Sequence, residues 1–113
     1  MNIFIIQKTS HCTNKWVDSE REATLRWIYY HMDDSSSICE LDKMPYERIA
    51  NMIKHDVIIN HFRELIRDVD KIFCVAGWGA DKLAVEFRSI AQEMNIPIVD
   101  IGANGELSTY FLE

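Results

Sequence analysis

The chain has 113 residues, 48% of them hydrophobic and 27% charged, which is the length and composition of one globular domain. Its formal net charge of −6, with Lys and Arg scattered along the chain, excludes general binding to DNA or RNA, which needs clustered basic residues. No apolar run is long enough to span a membrane. Three cysteines without a paired spacing predict a reducing, cytoplasmic location.

Four short apolar runs alternate with longer segments in which apolar residues recur at helical spacing. The first run, Asn2–Ile6, predicts a buried strand. A first helix is expected to begin after a cap at Asp18 or Ser19. A second strand is expected over residues 37–41, after a loop over residues 33–37.

The second half of the chain continues the alternation. Residues 46–69 have helical spacing, with a break expected near His55-Asp56 because the stretch is long for one helix. A third strand over residues 72–76, an amphipathic helix after Gly79, and a fourth strand over residues 96–101 follow, and residues 107–112 are expected to pack back onto the core. This order predicts a three-layer, Rossmann-like α/β domain with a mostly parallel sheet of four or five strands.

The loops at the carboxyl ends of the strands predict a ligand site, because parallel strands bring these loops to one edge of the sheet. Paired glycines let backbone approach a ligand closely, and the helix that follows offers free N–H groups to an anion. The aromatic ring between the glycines suits stacking on a planar base, or simply covers the end of the sheet. The candidate binding residues are Ser10, His11, Gly77, Trp78, Gly79 and Asp81.

Glu86 is the candidate catalytic residue, since it lies early in the helix at the edge of the apolar stripe. A carboxylate in that place is suited to attack an anomeric carbon or to assist proton transfer. The alternative is a surface glutamate that pairs with Lys82 or Arg88. No His or Cys spacing indicates a metal or cofactor, and Cys12 beside His11 is more typical of a loop thiol than of a nucleophile.

Residues 70–99 carry three motifs: Asp70-x-Ile72 leading to Gly77-Trp78, then Ala84-Val85-Glu86, then Ile96-Pro97-Ile98. In this order and spacing the chain resembles the nucleoside 2-deoxyribosyltransferase superfamily and its small relatives. The resemblance implies one such α/β domain over residues 1–113. It also implies that Glu86 is a nucleophile forming a covalent sugar intermediate, and that Asp81 helps to hold the sugar.

The chain differs from that family pattern in two places. Gln7-Lys8-Thr9-Ser10 replaces a Gly-Pro type of turn after the first strand, and Lys82-Leu83 stands where the family has Gly-Thr. Trp78-Gly79 and Ile101-Gly102 give a weaker resemblance to a family with features of uracil-DNA glycosylases.

The expected function is binding of a nucleoside or nucleotide at this edge of the sheet, with cleavage or transfer at its N-glycosidic bond by Glu86 as the enzymatic form. A non-catalytic sensor or sequestering protein stays open as an alternative. So does an acidic interaction or inhibitor module anchored by Trp16, Trp27 or Tyr30. A second copy of so small a domain would help to complete a pocket, and neither a membrane nor bulk nucleic acid is an expected partner.

Overall fold

A computed structural model describes residues 1–31 and 38–102, which fold around a parallel sheet. In these residues the strand order is β2-β1-β3-β4, and each neighbouring pair is parallel. The strands are β1 (Asn2–Ile6), β2 (Cys39–Glu40), β3 (Lys71–Val75) and β4 (Ile98–Ile101). The loop predicted over residues 33–37 and the terminal element predicted over residues 107–112 both lie outside the described residues.

Four helices of the described residues connect these strands: α1 (Asn14–His31), α2 (Glu47–Met52), α3 (His55–Leu65) and α4 (Lys82–Glu93). The predicted alternation of strands and helices is confirmed. The break expected near His55-Asp56 occurs at Ile53 and Lys54, whose backbones are extended. The outer strands are shorter than predicted, since β2 spans two residues and β4 begins at Ile98.

Helix α1 begins earlier than predicted, and the cap expected at Asp18 or Ser19 is wrong. The hydroxyl of Thr13 accepts a hydrogen bond from the N–H of Trp16 at 3.1 Å, and the Thr13 carbonyl accepts one from Val17 at 3.1 Å. This is the pattern of an N-terminal cap. Burial of Val17 (3% exposed) in the first turn fixes this earlier start.

Each central strand faces two cores because successive side chains of a strand point to opposite faces of the sheet. Phe4 and Cys74 belong to the core that α3 and α4 cover, together with Phe62 and Phe87. Ile3, Ile5, Phe73 and Val75 belong to the opposite core, which includes Ile28 of α1. The predicted three-layer α/β architecture is therefore confirmed.

The connections that follow β1 and β3 cross opposite faces of the sheet. After β1 the chain crosses one face through α1 to reach β2, and after β3 it crosses the other face through α4 to reach β4. The crevice between the carboxyl ends of β1 and β3 is therefore a topological switch point, the usual place for a ligand in open α/β sheets. Among the described helices, none combines the length and the apolar character needed to cross a membrane.

Candidate functional site

Asp81 joins the two loops that border the switch point. Its Oδ2 accepts hydrogen bonds from the backbone N–H groups of Thr9 and Ser10, at 2.7 Å and 3.0 Å, and from the Thr9 hydroxyl at 3.2 Å. Its Oδ1 accepts from the N–H groups of Leu83 and Ala84, at 2.9 Å and 3.1 Å, which caps α4. The end of β1 and the start of α4 are thereby fixed to each other.

The environment of Asp81 keeps its carboxylate ionised. The side chain is buried, at 3% exposed, and burial raises its pKa, but the hydrogen bonds from Thr9, Ser10 and Ala84 outweigh that effect and lower the pKa below its ordinary value. Five donors from the protein fill the acceptor sites of this carboxylate. A direct contact between Asp81 and a sugar would have to replace one of these hydrogen bonds.

A pocket of about 360 Å³ lies beside this junction, and we call it the switch-point pocket. The loop after β1 and the first turn of α4 form two of its sides, and α2 forms a third. Its polar lining residues include three of the predicted binding residues, Ser10, His11 and Asp81. Its lining consists of Thr9, Ser10, His11, Glu47, Ala50, Asn51, Ala80, Asp81, Lys82 and Leu83.

Glu47 completes the hydrogen bonding of the loop after β1. The N–H of His11, a residue with a positive φ of 60°, donates to Glu47 Oε2 at 2.8 Å. Three consecutive N–H groups, those of Thr9, Ser10 and His11, thus donate to carboxylates of the protein itself. Successive N–H groups that converge in this way form an anion-binding concavity. No sequence pattern links Glu47 to a loop 36 residues earlier.

The predicted glycine turn follows β3, but Trp78 does not line the switch-point pocket. Gly77 has a φ of 99° and ends the strand, and a 3₁₀ turn, Trp78–Ala80, leads to α4. The Trp78 ring packs against the core, and the guanidinium of Arg88 lies 4.4 Å from its centroid. Arg88 also binds both carboxylate oxygens of Asp100, at 2.6 Å and 3.2 Å. These contacts agree with the alternative that Trp78 covers the end of the sheet.

Glu86 lies in a different depression from the switch-point pocket. Its Oε2 is 2.7 Å from Nε2 of His55, and its side chain is 44% exposed. With His55 and Ser89 it lines a groove of about 430 Å³ between α3 and α4. Another depression along α4 shares Glu86 with this groove and Lys82 with the switch-point pocket. Among the described residues, Glu86 therefore pairs with His55, whereas Arg88 pairs with Asp100.

A second cavity lies on the other side of α2, and we call it the apolar cavity. Its volume is about 300 Å³, and it lies between α2, α3 and the segment after β2. The rings of Phe62 and Phe87 stack at 3.9 Å in its wall, and His61 Nε2 lies 3.0 Å from Asp42 Oδ2 at its edge. The sequence does not reveal this cavity, because its residues have the spacing of ordinary core positions.

The remaining candidates are dispersed over the surface. Tyr30 and Trp16, proposed as anchors for a partner protein, are 84% and 43% exposed, whereas Trp27 is partly buried against the core. Within residues 1–31 and 38–102, no three His, Cys, Asp or Glu side chains converge to hold a metal ion. Comparison of the chain with protein-family models, curated protein sequences and solved structures found no match.

Proposed function

We propose that the protein binds a small nucleoside- or nucleotide-type molecule in the switch-point pocket and does not cleave it. The observation that carries this proposal is the junction at Asp81, which holds the Thr9–Ser10 backbone against the start of α4. A ligand site is more effective when its walls are fixed before the ligand arrives, since less ordering is then needed on binding. The pocket also lies where open α/β sheets bind ligands.

The lining of the pocket suits a ribose with or without a phosphate. The hydroxyl of Ser10, the amide of Asn51 and the carboxylate of Glu47 are groups that form hydrogen bonds with sugar hydroxyls. Lys82 supplies a positive charge at the first turn of α4, where the helix dipole adds to its attraction for an anion.

The position of Glu86 supports binding without cleavage. Retaining glycosyl transfer needs a nucleophilic carboxylate at the anomeric carbon and an acid that protonates the leaving group. Glu86 is absent from the lining of the switch-point pocket and is paired with His55 across the groove between α3 and α4. Glu86 is therefore not among the side chains that surround a ligand in the pocket.

The test is a panel of nucleosides and nucleotides, with thermal unfolding and chromatography of free base measured on the same samples. The wild-type protein should be stabilised by one class of compound, by about 2.7 kcal/mol at a hundredfold excess over Kd, and should release no base. Lys82→Gln should weaken that binding, whereas Lys71→Gln, at the opposite end of the sheet, should not.

Two results would contradict this proposal. Base release by the wild type but not by Glu86→Gln would establish the enzymatic form instead. If no compound of the panel stabilised the protein, the pocket would not be a nucleotide site.

A surface on α1 favours a protein-interaction module as the second candidate function. Tyr29 and Tyr30 are adjacent and are 46% and 84% exposed. Exposed aromatic residues are the commonest anchors of protein interfaces. Two results together would favour this function. The wild-type protein should capture one stoichiometric partner that Tyr30→Ser does not capture, and no nucleotide should stabilise it.

A further inference from the structure

The apolar cavity has no part in the proposed nucleotide site. Its volume is at the lower end of the range for small-molecule sites. Phe4, Phe62 and Phe87 line it and are each no more than 2% exposed, so their rings form its inner wall. An interior of this kind accepts an apolar group and gives no compensation for a buried charge.

Three aliphatic residues around the entrance are about half exposed to water. Ile49, Ile53 and Val57 line the same cavity and are 46%, 41% and 54% exposed. An apolar ligand seated in the cavity would remove surface of these side chains from water, which is favourable. The entrance therefore offers exposed apolar surface that the apolar part of a ligand can cover.

The charged groups at the entrance leave one ammonium available. Asp42 is engaged, because its Oδ2 accepts from His61 Nε2 at 3.0 Å and its Oδ1 accepts from the N–H of Lys43 at 2.8 Å. The Lys43 ammonium lies 5.0 Å from the centroid of the Tyr46 ring. Among residues 1–31 and 38–102, no carboxylate is within ion-pair distance of Lys43. Lys43 is therefore the cationic side chain that an anionic head group can contact at the entrance, beside the hydrogen-bonded carboxylate of Asp42.

We propose that the apolar cavity binds a small amphiphilic monocarboxylate. Its apolar tail lies against the wall formed by Phe4, Phe62 and Phe87, and its carboxylate lies at Lys43. This site is separate from the switch-point pocket, because the α2 segment lies between them. The apolar cavity is lined by Ile49 and Ile53, and the switch-point pocket by Ala50 and Asn51. The inference is independent of the proposed nucleotide binding.

Calorimetry and amide NMR shifts with four compounds test the chemistry of the ligand. Octanoate should bind more tightly than octanol, because its carboxylate is attracted to the Lys43 ammonium. Octylamine should bind less tightly than octanol, because its own ammonium is repelled there. Each methylene added from hexanoate to octanoate should tighten binding by about fourfold while the tail still enters the cavity. Tighter binding of octylamine, or no saturable binding of octanoate, would overturn the proposal.

Two substitutions locate the site, and each has a matched control. Lys43→Gln should weaken octanoate binding by about threefold to fivefold and leave octanol binding unchanged, which is the behaviour of one exposed ion pair. Lys82→Gln should leave both unchanged. Val57→Glu should weaken octanoate binding by more than about tenfold, because the new carboxylate repels the ligand and disrupts the apolar entrance.

Val85→Glu is the control for Val57→Glu, since Val85 is an exposed helical valine, 38% exposed, that lies outside this cavity. It should bind octanoate as the wild type does. Far-ultraviolet circular dichroism and thermal unfolding confirm that each variant is folded. Octanoate affinities that are equal in the wild type, Lys43→Gln and Val57→Glu would overturn the proposal.

Discussion

The carboxylate of Asp81 accepts hydrogen bonds from both the backbone N–H and the hydroxyl of Thr9, a residue 72 positions earlier in the chain. Because the other oxygen of Asp81 caps α4, one side chain joins the end of β1 to the start of α4. The two loops at the switch point therefore form a single hydrogen-bonded unit.

Replacement of Asp81 by Ala should lower the free energy of unfolding by about 2–4 kcal/mol, measured by urea denaturation. The cap of α4 accounts for about 1 kcal/mol, and the N–H groups of Thr9 and Ser10 left without an acceptor account for the rest. Asp56→Ala is the control, since Asp56 is exposed in the first turn of α3 and should cost less than about 1 kcal/mol. Equal losses in the two variants would contradict the role assigned to Asp81.

Acid should destabilise the protein partly through Asp81. Its pKa is lowered in the folded state, so the folded protein binds this proton less readily than the unfolded chain does. The stability that results is fully present above the unfolded pKa of about 3.9 and is lost as the pH falls through the folded pKa. The free energy of unfolding of Asp81→Asn should therefore fall less between about pH 6 and about pH 2 than that of the wild type. Parallel curves would contradict this prediction.

Gly77 and Gly79 should respond differently to replacement by Ala. Gly77 has a φ of 99°, which side-chain-bearing residues adopt with strain, so Gly77→Ala should cost about 1–2 kcal/mol of stability. A Cβ at Gly79 would meet nothing within 4 Å, so Gly79→Ala should change stability by less than about 0.5 kcal/mol. Thermal unfolding of the two variants side by side measures the difference, and the opposite ranking would contradict the conformation of this turn.

The three thiols should react at different rates with a disulfide reagent at about pH 8. Burial raises the pKa of Cys74 to about 11, although Arg88 opposes this, so its thiol stays protonated as well as inaccessible. Cys39 is exposed and should react rapidly, with partly buried Cys12 next. Cys74 should react only after urea unfolding, and reaction of all three thiols at one rate in the native protein would contradict the packing of β3.

Much of the fold was predictable because the central strands are continuous apolar runs. Residues such as Phe4 and Phe73 are buried on opposite faces of one sheet, and a parallel sheet covered on both faces requires that composition. The start of α1 was not predictable in this way. Thr13, Asp18 and Ser19 are all suitable caps, and only the burial of Val17 in the folded protein distinguishes among them.

The location of the candidate site was predictable, but its internal contacts were not. The order of strands predicts that Ser10, His11 and Asp81 lie at one edge of the sheet, and all three line the switch-point pocket. The orientation of Glu86 depends on which helix packs beside α4, and helical spacing within α4 carries no information about that neighbour. The hydrogen bond from the His11 N–H to Glu47 likewise depends on how α2 packs beside the loop after β1.

The pairing of β1 with β3 has a consequence for synthesis of the protein. Asn2 at the start of β1 donates to Asp70, which follows it by 68 residues, and the register then runs from Ile3 with Lys71 to Ile6 with Cys74. At ribosomal rates of about 5–20 residues per second, the partner strand is translated roughly 3 to 14 s after β1. During that interval the isoleucines of β1, which are almost wholly inaccessible in the folded protein, lack their pairing with β3. Slower translation therefore lengthens the time for which this apolar segment lacks its longest strand pairing.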